Sequence, residues 1–254
     1  MQSRLRSLLA MCAFSLHLAA LTNACSAELK VAVAANFSAP MKQIAHAFKL
    51  ETGHSIATVP GSTGLLYAQI RNGAGFAVLL SADQHTPLKL EQEGMGWVDT
   101  RFTYAIGRLA LWSREPGRID SGEQILKAGG SDRIALANPR LAPYGAAAVQ
   151  VMNSLGVLGT LQARLVEGSS IGQAYQFVAS GNAPIGFVAL SQIYINGRIV
   201  EGSAWIVPDG LYEPIRQDAI LLKAGGHLPS AHAFMDFLRG DRARSIMRAY
   251  GYRH

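Results

Sequence analysis

The 254-residue chain has two cysteines, Cys12 and Cys25, and both precede residue 28. A chain cut after Ala27 would carry no disulfide and would depend on its apolar core alone. Long apolar runs are missing too. Leu8 to Leu21 is interrupted by Ser15 and His17, falls short of the ~20 residues of a membrane span, and no later segment qualifies. Only 16% of residues are charged, against 49% hydrophobic, a globular balance rather than a disordered one. The formal charge of +6 includes Arg4 and Arg6. No basic stripe with interleaved aromatics is present, so nucleic acid is not an expected partner. The densest basic run, Arg239 to Arg253, also holds Asp241 and reads as a solvated helix face. The histidines after residue 27 (His46, His54, His85, His227, His232 and His254) are scattered. His227 and His232, five apart, do not share a helix face for a metal. With no paired carboxylates either, an enzyme is not expected and no cofactor is implied.

What is present starts with a leader. Arg4 and Arg6, the apolar stretch behind them and the small residues Cys25-Ser26-Ala27 make residues 1–27 a secretory signal peptide. That places the mature chain in the periplasm. A lipid anchor at Cys25 fits less well, because Thr22 stands where an aliphatic residue is usual.

From residue 28, strand-like runs alternate with helical patterns. Leu29 to Ala35 reads as a strand, Met41, Ile44, Ala45, Phe48 and Leu50 as the apolar stripe of the next helix, and Gly53 as its stop. Ser38 or Asn36 is the expected cap. The alternation predicts an α/β fold built on a parallel sheet, with ligands outside the carboxyl ends of its strands. Two long extended runs, Tyr104 to Trp112 and Tyr212 to Lys223, flank a middle with its own core, and Ser230 to Tyr250 reads as helical. The expected organisation is a discontinuous two-lobe protein, residues 28–105 plus 214–254 forming lobe 1 and 106–213 lobe 2. Its ligand would sit in a hinged cleft.

Two loops stand at strand ends: Ala34-Ala35-Asn36-Phe37-Ser38 and Pro60-Gly61-Ser62-Thr63-Gly64. Both offer small hydroxyl or amide groups, and neither contains Lys, Arg or His. Helix N-termini with free N–H groups hold anions without a cation. Asn36, Ser62 and Thr63 are therefore candidate donors to a small oxyanion. The second loop lacks the spacing of a nucleophile elbow and the Gly-Lys-Ser/Thr of a phosphate loop. Tyr144, after Pro143, and Ile171, after Ser169-Ser170, open two further helices. The phenol of Tyr144 and the backbone N–H of Ile171 are candidate donors from the second lobe.

These segments resemble the periplasmic molybdate-binding proteins that feed an ATP-driven importer. The anchors are Val33-Ala34-Ala35-Asn36-Phe37, Gly61-Ser62-Thr63-Gly64, Tyr67-Ala68-Gln69-Ile70, Ser81-Ala82-Asp83, Ala137-Asn138-Pro139, Pro143-Tyr144-Gly145 and Pro184-Ile185-Gly186-Phe187-Val188. The resemblance implies a class II two-lobe binding-protein fold and a tetrahedral molybdate or tungstate dianion. Asn36, Thr63, Tyr144 and Ile171 would hold that dianion through its oxygens, with Ser62 beside them. It also implies delivery to the membrane permease of an ABC importer by a monomeric protein. Another small oxyanion or a small organic ligand is the alternative. Ala189 stands where one branch of the family has a ligand-contacting Tyr, and Tyr144 where that branch has Ala. Neutral donors suit such a dianion, which stays deprotonated near neutral pH.

Overall fold

The chain begins its first sheet at once. In the computed structural model, which describes residues 28–130 and 132–254, β1 (Leu29–Ala34) is buried except at Lys30 and pairs in parallel with β2 (Ile56–Gly61) and β3 (Val78–Leu80). Residues 1–27, expected to be a leader, lie outside the described residues, and both cysteines with them. Among those described, no helix is long and apolar enough to cross a membrane.

Between β1 and the helix α1 (Ser38–Thr52) lies one turn of 3-10 helix, Ala35–Phe37. Neither Asn36 nor Ser38 caps α1; its N-cap is Phe37, with no side-chain bond. The Asn36 amide is committed elsewhere, as described below. Met41, Ile44, Ala47 and Phe48 form the buried stripe of α1, whereas Leu50 is 70% exposed. Leu50 lies off the 3.6-residue period that the other positions share. Gly53 ends the helix at φ 77°, a left-handed conformation that glycine adopts without a side-chain clash. Phe48 meets Phe234 and Phe237 edge to face at 5.4 and 5.5 Å. Burying each such ring contributes about 1.5–3 kcal/mol.

Among the described residues nine further strands follow: β4 (Phe102–Gly107), β5 (Leu109–Ser113), β6 (Ile134–Ala137), β7 (Leu165–Gly168), β8 (Ile185–Ala189), the short pair β9 (Tyr194–Ile195) and β10 (Arg198–Ile199), β11 (Ser203–Ile206) and β12 (Ile215–Leu221). The first sheet has the order β2-β1-β3-β12-β4 and the second β11-β5-β8-β6-β7. The expected long run Tyr104 to Trp112 is two strands, β4 (Phe102–Gly107) and β5 (Leu109–Ser113), one in each sheet. Arg108 between them is the crossing point. The chain returns through β12 (Ile215–Leu221), antiparallel to both β3 and β4. The sheets are therefore mixed rather than parallel: a strand that brings the chain back must run against the one that took it out. In the second sheet β6 (Ile134–Ala137) pairs in parallel with β7 (Leu165–Gly168) and β8 (Ile185–Ala189), while β5 runs against β8 and β11 (Ser203–Ile206). The expected terminal helix is broken at Gly240, whose extended backbone separates Pro229–Arg239 from Asp241–Ala249.

The two halves touch. Gly64 donates its N–H to the carbonyl of Leu141 at 2.9 Å. A Cβ on Gly64 would stand 3.2 Å from that oxygen, so glycine permits the approach.

Candidate functional site

Four helical starts converge between the two sheets. A small chamber is lined by Ala34, Ala35 and Asn36; by Gly61, Ser62 and Thr63; by Ala82; by Ala142, Pro143 and Tyr144; and by Ile171. Its free volume is about 10 Å³, about what a single water needs. The lining contains no Lys, Arg, His, Asp or Glu. Wider clefts of about 480 and 460 Å³ flank it, and the charged residues lie there: Asp83, Arg140, Glu213 and Arg216 on one side, with His85 among them, and Lys42 on the other.

Each start positions its residues by a local rule. The 3-10 turn Ala35–Phe37 follows β1 and leads into α1. The second helix, α2 (Thr63–Arg71), follows the Gly61-Ser62 bend, with Ser62 as its N-cap in an extended conformation. Pro143 opens α5 (Pro143–Ser154), where the missing N–H of proline costs nothing. Ser170 precedes α7 (Ile171–Ala179) and caps it, its hydroxyl accepting from the Gln173 N–H at 3.2 Å. (α3, α4 and α6 are His85–Gln92, Gly122–Ala128 and Leu158–Leu161.) First-turn N–H groups have no partner within their own helix.

The side chains then divide by what they have left to give. Ser62 is 3% exposed, and its Oγ is buried with no hydrogen-bond partner. A hydroxyl in that state costs about 1–3 kcal/mol unless something meets it. Thr63 Oγ1 accepts from the Ala82 N–H at 3.1 Å, leaving its own proton to a further acceptor. Tyr144 is 1% exposed, and its hydroxyl accepts from Gln217 Nε2 at 3.0 Å. Ile171 is held at its carbonyl by Gln192 Nε2 at 3.2 Å, and Gln192 Oε1 in turn accepts from the Ala189 N–H. Ala189 is buried and does not line the chamber.

Asn36 differs from expectation. Both N–H bonds of its amide are spent, on Gln217 Oε1 and Tyr252 Oη at 2.9 Å each. What Asn36 can present to the chamber is its backbone N–H at a helical start.

Sequence reasoning missed Gln217 and Tyr252. The signal for the first is readable afterwards: Gln217-Asp218 is a polar pair inside an otherwise apolar strand. Both side chains are buried because β12 lies between β3 and β4 with apolar layers on both faces, and its pairing with β4 shifts register at this pair. No pattern pointed to Tyr252, which reaches the site only through tertiary packing. The phenols stay neutral here. Burial lifts Tyr104 and Tyr144 well above the ordinary tyrosine range and pushes Tyr252 up to about 12.

The chain is similar to known proteins over most of its length. The family model of the bacterial extracellular solute-binding proteins matches residues 29–253. The molybdate-binding protein ModA of Azotobacter vinelandii is 54% identical over 227 residues, 89% of this chain and 90% of that protein. The protein of the same name from Rhodobacter capsulatus is 48% identical over 229 residues, 90% of this chain and 89% of that protein. The solved periplasmic molybdate-binding protein of A. vinelandii superposes with a TM-score of 0.86 at 45% identity, covering 89% of this chain and 99% of that one.

Proposed function

We propose that this chain, which belongs to the bacterial extracellular solute-binding protein family, captures molybdate or tungstate between its lobes and delivers it to an ABC importer. The observation that carries the reading is the convergence of four helical starts on one small chamber without a charged side chain. Each helix N-terminus carries roughly half a positive charge. Three such N-termini, with the 3-10 turn leading into α1, offset much of the charge of a deprotonated molybdate. Ser62, buried and unpartnered, is a hydroxyl already desolvated for such an oxygen.

In this reading Ser62 and Thr63 donate through their hydroxyls, Asn36 and Ile171 through backbone N–H groups, and Tyr144 through its phenol. The donors contact the oxygens and none ligates the metal. Residues 28–105 plus 214–254 act as lobe 1 and residues 106–213 as lobe 2, closing on the anion about the β4–β5 crossing and the return into β12. The protein works in the periplasm after removal of residues 1–27. It acts as a monomer that needs no cofactor, binds no nucleic acid and performs no catalysis.

Isothermal titration of the mature chain tests the reading. Molybdate and tungstate should bind tightly and sulfate weakly or not at all. Heat with sulfate or with a small organic acid, and none with either metal oxyanion, would overturn it.

A further inference from the structure

Behind the chamber lies a second layer of polar groups, Gln217, Tyr104, Tyr252 and Ser191, none of which lines it. Gln217 is its centre and is fully buried. Its Oε1 accepts from Asn36 Nδ2 at 2.9 Å and from the Tyr104 hydroxyl at 3.0 Å, and its Nε2 donates to Tyr144 Oη at 3.0 Å. Tyr252, from the segment after the last helix, continues the layer. Its hydroxyl accepts from Asn36 Nδ2 and stands 3.0 Å from both the Asn36 carbonyl and Ser191 Oγ. Ser191 Oγ donates to the same Asn36 carbonyl at 2.7 Å.

These bonds sort by sheet. Asn36, Tyr104 and Gln217 belong to the first half, and Tyr252 packs there, edge to face against Phe37 at 5.4 Å. Tyr144 and Ser191 belong to the second half. Three bonds thus cross between halves: Gln217 to Tyr144, Tyr252 to Ser191, and Ser191 to Asn36. The backbone makes room for them. Gly107, at the end of β4, has no Cβ, and one built there would lie 2.0 Å from Tyr144 Oη and 2.5 Å from Gln217 Nε2. Arg253, next to Tyr252, exchanges two backbone bonds with Ile106 in β4, at 2.7 and 3.0 Å, and pairs with Asp209 of the second half at 2.5 Å. The segment that carries Tyr252 is therefore anchored at the crossing itself.

From this layer we infer that Gln217, Tyr252 and Ser191 form a neutral latch that joins the lobes when they close and sets how long the bound oxyanion stays. The inference rests on the reading of the chamber as an oxyanion site. The latch groups are positioning residues. Gln217 fixes the hydroxyl of Tyr144 by donating to it, so the Tyr144 proton must go to Tyr252 or into the chamber. Ser191 donates to the Asn36 carbonyl and so holds the peptide turn that carries the first-lobe N–H groups, while Tyr252 gives its one proton to Ser191. All the bonds are neutral and buried, so their worth depends on every member being satisfied. A closed-state contact acts on release more than on capture.

The test uses Tyr252→Phe, Ser191→Ala and the double variant of the mature chain. Labelled molybdate is bound, chased with excess unlabelled molybdate, and its release timed. Each single variant should release it roughly five- to tenfold faster, the loss expected of one or two buried neutral hydrogen bonds. The double variant should be little faster than the singles, because the two hydroxyls share a bond. Ligand-free Ser191→Ala should melt near the parent, and Tyr252→Phe lower, because it leaves the Asn36 amide one acceptor short. Release at the parent's rate from both single variants, or additive effects, overturns the latch, whatever the melting shows. Because Ser191→Ala removes only one oxygen, it decides the matter even if Tyr252→Phe folds poorly. A parent chain that retains no label overturns the molybdate reading and the latch together. A parent that retains it beside unchanged variants overturns the latch alone.

Discussion

The chamber and the clefts beside it are made from the same loops yet follow opposite chemistry. Thr63 and Ala82 line both the chamber and the larger cleft, but one step outward come Asp83, His85, Arg140, Glu213 and Arg216. Inside there is no charged side chain. A buried cation would attract any anion indiscriminately and itself carry a desolvation cost. Fixed N–H and O–H donors reward only an anion whose oxygens fall where the donors point. Under the proposed reading the hydrogen bonds within select the anion, and the mixed charges outside can act only on its approach.

The strongest way to break that division is to strip the inner wall. Ser62→Ala combined with Thr63→Val removes two hydroxyls while keeping volume nearly constant. Each hydrogen bond to a charged group contributes about 1.5–3 kcal/mol, so the pair should weaken molybdate binding roughly 100-fold or more. Titration calorimetry reads this directly. A loss of less than threefold would mean that the inner hydroxyls do not choose the ligand.

Next in size is a change from behind the wall. Gly107 does not have the positive φ that would demand glycine, so Gly107→Ala acts by bulk alone. Its methyl would strike the Tyr144 hydroxyl and the Gln217 amide. Overpacking of this kind costs about 1–3 kcal/mol of stability, and displacing Tyr144 should cost about tenfold in affinity. Urea unfolding and calorimetry on one sample separate the two. A variant that loses stability and keeps full affinity would show that Tyr144 is not a donor.

How much of this was legible beforehand follows the range of the interactions. The strand–turn–helix units are local, and Gly53, Pro143 and Ser170 mark their ends where the sequence places them. The loops at Asn36 and Ser62-Thr63 carry their chemistry in adjacent residues, so they stood out. What escaped depends on contacts distant in the chain. Gln217 meets Asn36 across 181 positions and Tyr252 meets it across 216. The return direction of β12, which makes the sheets mixed, is likewise set by topology rather than by composition. Asn36 shows the cost of reading one residue alone. Its amide suggests a ligand donor, and the structure spends that amide on the layer behind.

The smallest expected effect belongs to the rim. Arg140 and Arg216 are exposed, and charges in such positions act through a field that salt screens within about 10 Å at 0.1 M. Arg140→Gln with Arg216→Gln should slow molybdate association a few-fold at low ionic strength and leave the dissociation rate unchanged. Raising the salt should bring parent and variant together. Stopped-flow association at several salt concentrations measures this. A faster dissociation in the rim variant, persisting at high salt, would mean that these guanidinium groups reach the bound anion. The separation between a neutral chamber and a charged approach would then be wrong.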